Sequence, residues 1–588
     1  MKKYSSELNV QYLVSLLKEF NIKKVIVSPG TTHLSFVACV QYDSFFEVYS
    51  SVDERSAAYL ACGMCLECGE PIVIACTGAT ASRNYLPGLT EAYYRKLPIL
   101  AVTGVKGHDI MGHLINQAID RRTPPADAVV KSVYLPVITN NRDKWSCEVK
   151  INDALCELTR HGGGPVHIDL QTLYDRDFSV STLPSLRKIQ RVEPYQCFPK
   201  MPSGRIAVFI GSHRDFSEEE TKVIDQFCKS RDSVVFCDHT SGYYGDYAVH
   251  FALPTYQKYS SELKDIDLLI HIGEVSGEYG CLGGLSIKNV WRVNPDGEIR
   301  DTFKKLSYIF EMPENVFFKE YTLPCCQKSE YLDACLKEVR LIEQLIPELP
   351  FSNVWIAKNM AKKLPTNSVL HLGILNSLRC WNYFTLPKGV RSYSNVGGFG
   401  IDGCVSTLLG ASFLHKESLY FGVVGDLSFF YDMNSIGNRH LGHNIRLLVV
   451  NNGKGTEFKN FYHTGASFGD LADDYMAAAG HFGNKSKTLV KDYAKNLGFK
   501  YLCASNKQEF LNNVDEFVNP VMEEHSILFE VFTDSEDESN ALEIIFNLKS
   551  DLKGAVVDNI TNLLGGKGAV HKILGEKGVD VFKKILKP

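Results

Sequence analysis

In the stretch "VVGDLSFFYD" (423–432), an apolar run ends in Gly425-Asp426 and gives way to a helical pattern. After that helix and one further apolar run, "IRLLVV", the chain delivers Asn451-Asn452, followed by Gly453 and Gly455. A crossover of this length joins parallel strands, so both sets of side-chain oxygens reach the same sheet edge. Two such oxygens and a loop carbonyl suit a hard divalent cation that takes its remaining ligands from phosphate and water. Either element alone reads as ordinary structure, an Asp capping a helix or an Asn pair in a turn. The combination at this spacing is what points to a metal–phosphate site. A third acid, Glu54 in "FEVYSSVDERSAAYLACG", opens a helical pattern after a short strand. Alone, it would be an N-terminal acid favoured by the helix macrodipole.

The elements that must carry these residues are β-rich runs alternating with helical patterns. They include "KKVIVSPG", "PIVIACTG", "LPILAVTG" and "PVHIDL" early, "RIAVFIG", "SVVFCD" and "DLLIHIG" in the middle, and "SVLHLGI", "LYFGVVGD", "IRLLVVNN" and "SILFEVF" later. Continuous rather than alternating hydrophobicity marks strands buried on both faces, as in parallel sheets covered by helices. The pattern predicts an α/β chain with three doubly wound parallel-sheet domains in series. Periodicity lapses at 181–204 and 345–353, which gives expected domains over 1–185, 186–347 and 348–535. A Lys/Gly-rich, helix-compatible tail over 536–588 completes the chain.

Composition narrows the chemistry. The 588 residues are 45% hydrophobic and 22% charged with a net charge of −5, which disfavours a nucleic-acid binder relying on a basic surface. No apolar stretch approaches the roughly 20 residues needed to span a bilayer, and the N-terminus lacks a signal-peptide core. A cytoplasmic protein acting on small molecules is expected, with no membrane or nucleic-acid partner. The 17 cysteines fall mostly inside apolar segments, as reduced core thiols do. Cys62, Cys65 and Cys68 of "CGMCLEC" share one helix face with no matching Cys/His group nearby, and are expected to pack rather than bind metal.

Gly-Asp followed by Asn452 resembles the signature of thiamine-diphosphate (ThDP) enzymes. The resemblance implies that Asp426, Asn452 and the backbone carbonyl of Lys454 ligate Mg2+, which holds the cofactor's diphosphate. Gly400, Gly425, Leu427 and Ser428 would line the cofactor, and Ile401 of "GIDG" would be the apolar wedge that bends it. Glu54 would hydrogen-bond the aminopyrimidine ring as a catalytic residue. The first domain would then bind the pyrimidine and the third the diphosphate, with sites shared between subunits of a homodimer or homotetramer. Within that family the likeness is to carboligases of menaquinone biosynthesis that make 2-succinyl-5-enolpyruvyl-6-hydroxy-3-cyclohexene-1-carboxylate. It rests on "VSPGTTH", "VDER", "CTGATASRNYLPGLTEA", "HLINQAI", "VNPDGEIRDTF", "NSL", "SNVGGFGIDGCVSTLLGA" and "GDLSFFYDMNS", and spans residues 8–535.

The likeness breaks where those carboligases carry arginines for polycarboxylate substrates. This chain has Thr32, Trp381 and Val396 at three such positions and Lys106 at a fourth, which keeps charge but loses the bidentate fork. Thr32, Lys106, Asn116, Gln117, Ser377 and Trp381 are the expected substrate residues, and His33, beside the strand-ending "SPG", the expected proton-handling one. The expected activity is that of a lyase or transferase: decarboxylation of a 2-oxo acid with transfer of its acyl unit to an acceptor carbonyl. The menaquinone-pathway reaction itself, simple decarboxylation and a non-catalytic ThDP scaffold are the alternatives. Losing three charged contacts, each worth roughly 1.5–3 kcal/mol, favours a less charged donor such as pyruvate.

Overall fold

The computed structural model describes residues 3–277, 283–324 and 329–550. Packing divides the chain into two compact units. The first ends at Phe198 and adds Pro295–Met312, and the second comprises Pro199–Asn294 and the residues from Pro313 on.

The first unit is built on β1 (Lys24–Val27), β2 (Glu47–Ser50), β3 (Ile72–Thr77), β4 (Ile99–Val105), β5 (Lys131–Leu135) and β6 (Val166–Gln171). All are parallel, in the order β2-β1-β3-β4-β6-β5. Alternate residues of each inner strand enter different cores. Val25, Val73, Ala75, Leu100 and Val102 pack with the helices Leu8–Glu19 and Asn141–Glu157. Ile26, Ile72, Ile74, Ile99 and Ala101 pack with Glu54–Cys68 and Leu86–Arg95. Both faces are therefore covered, which is why these strands read as unbroken apolar runs. Cys62 and Cys65 lie in the second of these cores, and burial pushes their thiols up to about 11 and about 12. They pack as expected, while Cys68 faces outward. The helix Glu54–Cys68 starts at Asp53, whose carboxylate accepts from Arg55 N, and stops at Gly69 in the left-handed conformation. A short parallel pair, β7 (Gln190–Val192) with β15 (Leu306–Phe310), completes this unit.

In the second unit, β8 (Ile206–Ile210), β9 (Val234–Cys237), β10 (Ala248–Val249), β12 (Leu268–Ile272) and β14 (Val290–Val293) run parallel in the order β10-β9-β8-β12-β14. A small pair, β11 (Asp265–Ile266) with β13 (Ser286–Ile287), lies apart. The chain then forms β16 (Val369–Leu372), β17 (Arg391–Ser394), β18 (Tyr420–Gly425), β19 (Ile445–Asn451), β20 (Lys500–Ala504) and β21 (Ile527–Phe532). These are parallel in the order β17-β16-β18-β19-β21-β20.

Each sheet thus starts at an inner strand, winds one way, and returns to the other side of that strand. The resulting switch points lie between β1 and β3, β8 and β12, and β16 and β18, where a doubly wound sheet opens a crevice at its strand carboxyl ends. Backbone fills the middle one: a Cβ on Gly211 would stand 2.0 Å from the Glu274 carbonyl oxygen.

The last described helix, Ser535–Phe546, begins where the expected third domain ends and buries Ala541, Leu542 and Ile545. Residues 551–588, most of the expected tail, lie outside the described residues. No helix among the described residues is long and apolar enough to cross a membrane.

Candidate active site

At the carboxyl edge of the last sheet, β18 ends in Gly425 and Asp426 begins the helix Asp426–Asp432. Asp426 is only 4% exposed. Its Oδ1 accepts from Leu427 N at 2.8 Å and its Oδ2 from Gly453 N at 2.6 Å. Burial pushes its carboxyl up to about 6 against the pull of these amides, so the chain holds an under-neutralised acid here. On the adjacent strand, Asn451 Nδ2 donates to Glu530 Oε1 at 2.7 Å, and Tyr501 donates to Glu530 Oε2 at 2.7 Å. Asn451 Oδ1 and Asn452 Oδ1 are buried with no hydrogen-bond partner among the described residues. A buried acceptor left unmatched costs about 1–3 kcal/mol. The Lys454 carbonyl accepts from Thr456 N at 2.9 Å and keeps a second lone pair.

A buried carboxylate, an orphaned amide oxygen and a loop carbonyl are hard oxygen donors, so the residues present fit Mg2+. A Cβ added to Gly425 would meet nothing within 4 Å, which leaves the strand end open to a phosphate group. Ser428 Oγ donates to the Ile401 carbonyl at 2.7 Å, tying the Gly400–Ile401 loop to the helix that Asp426 begins. The structure therefore brings together eight of the sequence-predicted residues: Gly400, Ile401, Gly425, Asp426, Leu427, Ser428, Asn452 and Lys454.

Across the β16–β18 switch point, the helix Asn376–Trp381 carries Ser377, whose hydroxyl accepts from Asn353 Nδ2 at 3.3 Å. Trp381 is enclosed, and its indole Nε1 has no hydrogen-bond partner among the described residues. Its side chain is fully buried and its carbonyl accepts from His239 Nε2 at 2.9 Å. Val396 is buried as well. The cation of this helix is Arg379, which forks onto Glu457 at 2.7 and 3.2 Å and donates to Tyr462 at 2.5 Å.

In the first unit, Glu54 is half-buried at its helix start and accepts from Asn84 Nδ2 at 3.3 Å. His33 is wholly buried, and its Nε2–H donates to the Ser28 carbonyl at 2.9 Å. Burial lowers the ring to about 4, and its Nδ1 is buried with no hydrogen-bond partner among the described residues. Thr32 is also enclosed. Its hydroxyl donates to Gly104 O at 2.7 Å and accepts from Gly78 N at 3.1 Å, and its carbonyl accepts from Thr172 at 2.6 Å. A Cβ on Gly104 would sit 2.3 Å from the Thr32 oxygen, so only glycine allows this approach. Thr32 therefore clips strand ends together. Lys106 Nζ donates to Asn116 Oδ1 at 2.7 Å and to its carbonyl at 3.2 Å, while the adjacent Gln117 is exposed.

Two buried groups escaped sequence reasoning. Glu530 orients Asn451. Asp169 accepts from Arg121 at 2.6 Å and from Thr103 at 2.9 Å, and His108 Nε2 lies 2.8 Å from its other oxygen. The available signal was an acid inside an apolar strand, "FEVF" and "VHIDL".

Residues 9–123 match the family model described as "Thiamine pyrophosphate enzyme, N-terminal TPP binding domain". Over most of its length the chain is similar to proteins named 2-succinyl-5-enolpyruvyl-6-hydroxy-3-cyclohexene-1-carboxylate synthase. The one from Bacteroides fragilis is 29% identical over 571 residues, covering 92% of this chain and 98% of the relative. Those from Bacteroides thetaiotaomicron and Desulfotalea psychrophila are 28% and 25% identical, covering 92% and 87% of this chain and 98% and 96% of the relatives.

Proposed function

We propose that this chain is a ThDP- and Mg2+-dependent enzyme that decarboxylates a 2-oxo acid and passes its acyl unit to an acceptor carbonyl. The observation that carries the reading is the pairing of buried Asp426 with the unmatched Asn452 Oδ1 at the adjoining carboxyl ends of β18 and β19, beside the switch point of the last sheet. Asp426, Asn452 and the Lys454 carbonyl would hold Mg2+, and through it the diphosphate. Ile401, fixed by Ser428, would press on the cofactor's middle, and Glu54 would hold the proton shared with the aminopyrimidine nitrogen. When bound, the cofactor supplies the carbon nucleophile and the electron sink that decarboxylation needs. The protein contributes orientation and a water-poor site.

The shared name of the relatives favours the synthase reaction, with 2-oxoglutarate as donor and isochorismate as acceptor. A second reading, a less charged donor, is favoured by the enclosed Thr32, Trp381 and Val396 and by the commitment of Arg379 to Glu457. Product analysis with both menaquinone-pathway substrates at saturation decides between them. Turnover of about 1 s⁻¹ or more establishes the synthase reaction. Its absence, with CO2 release from pyruvate or a related acid, establishes the second reading. No CO2 release from any 2-oxo acid by the Mg2+- and ThDP-loaded protein would refute both. Following the resemblance, the active unit is a homodimer or homotetramer in which Glu54 and Asp426 of one site come from different subunits. Mixing Glu54→Gln with Asp426→Ala subunits should then restore partial activity.

A further inference from the structure

We propose that Lys485 is a diphosphate-binding residue of this chain, an inference that rests on the ThDP reading above. The segment after Ala477 turns through an unusual backbone: Ala478, Phe482, Asn484 and Lys485 have φ of 49°, 52°, 43° and 66°. Side chains other than glycine adopt this region only when their surroundings impose it. Two contacts do so. The Ala477 carbonyl accepts from Gly455 N at 2.5 Å, and the Phe482 ring stacks on Phe430 with centroids 4.5 Å apart and planes 13° from parallel. Phe430 belongs to the helix that Asp426 begins, so the segment is anchored to both halves of the candidate metal site.

The result is that the Lys485 stem lies against the loop that follows β19. A Cβ built on Gly453 would stand 3.0 Å from Lys485 Cγ and 3.5 Å from its Cε. Gly453, at φ 79°, is the residue whose N–H binds Asp426 Oδ2, and it separates Asn452 from Lys454. The ammonium is therefore carried beside the ligand set. Among cations of this edge, Lys454 and Lys459 are both committed to Asp473, at 2.5 and 2.7 Å. Lys485 has a looser partner, Asp534 Oδ2 at 3.6 Å, on a side chain 62% exposed. Exposed pairs of that kind are readily exchanged for a better anion.

Lys485 shares its cleft with Lys487, Lys507, Asp534 and Asp537, and the buried acids Asp426, Glu530 and Glu538 interact electrostatically behind it. With Asp426 among its ligands, Mg2+ cannot neutralise the whole diphosphate, and a compact ammonium on a flexible stem is suited to a phosphate oxygen.

Calorimetric titration with ThDP in the presence of Mg2+, with thiamine measured by competition, tests this without reference to turnover. Lys485→Gln should weaken ThDP by at least about tenfold while changing thiamine, which lacks phosphates, by less than about twofold. Lys485→Arg should recover most of the ThDP affinity. Unchanged ThDP affinity in Lys485→Gln overturns the proposal. So does equal weakening of thiamine and ThDP, which would mark a purely structural role for the loop. Failure of the unaltered protein to bind ThDP at all would instead overturn the functional reading, and this inference with it.

Discussion

Gly453 N–H and Asp426 Oδ2 lie 2.6 Å apart, joining the loop that leaves one strand to the first residue of the helix that leaves its neighbour. The register that makes this bond possible is set by β18–β19 pairing, in which Gly425 stands beside Val450. The bond fixes Asn452 and the Lys454 carbonyl relative to Asp426 before any ligand arrives. Preorganisation of this kind lowers the ordering cost of binding.

Removing the acid should therefore remove the site. Asp426→Ala should reduce Mg2+-dependent ThDP affinity by more than the roughly 10–100-fold typical of a ligand's supporting partners. Calorimetry checks this, and undiminished affinity would rule out the assignment of Asp426.

The supporting partner can be tested separately. Glu530→Gln keeps the volume beside Asn451 but disturbs the acceptor that receives its Nδ2–H, so ThDP affinity should fall by about tenfold. Since Glu530 is buried inside β21, melting temperatures should be compared alongside, and a change in melting with none in affinity would limit Glu530 to a structural role.

Glu54→Gln should bind ThDP with little change and lose most turnover, because an amide cannot share the proton that a carboxylate holds at the aminopyrimidine. Activity within a few-fold of the parent would exclude Glu54 from the chemistry.

Thr32 gives a contrasting expectation. Thr32→Ala deletes a hydroxyl that serves Gly104 O and Gly78 N in a buried setting, and should cost about 1–3 kcal/mol in denaturant unfolding. Its KM for the 2-oxo acid should stay within about twofold of the parent. A large KM change at unchanged stability would return Thr32 to the substrate site.

Acid stability should carry the signature of buried neutral histidines. Burial, aided by Arg391, lowers His371 to about 4, below the ordinary histidine value near 6.5 that the unfolded chain has. The unfolded state then binds the extra proton first. The stabilisation is present above about pH 6.5 and is lost as pH falls toward 4. His371→Asn, which cannot charge, should lose less stability over that interval than the parent, by up to about 3 kcal/mol. Parallel pH profiles of the urea midpoint would contradict this.

The sequence by itself determined the α/β class and the chemistry-bearing residues at strand ends. Unbroken apolar runs require burial on both faces, and a Gly-Asp or Asn-Asn at the close of such a run must emerge at a sheet's carboxyl edge. These are local patterns, and a helix or strand period registers them directly. Only the tertiary structure decided which of these side chains are enclosed. Thr32 and Trp381 stand in motif positions of substrate residues, yet hydrogen bonds and packing from residues far along the chain enclose them. His33, adjacent to the expected pocket in sequence, is turned onto the Ser28 carbonyl and shut from solvent. Lys485 and Glu530, by contrast, carry no motif and lie some 30 and 80 residues beyond Asn451. They reach the site because β19 pairs with β21 and because the 478–485 segment folds back over Gly453. Side-chain direction at a sheet edge is set by non-local register and packing, and no window of sequence contains those contacts.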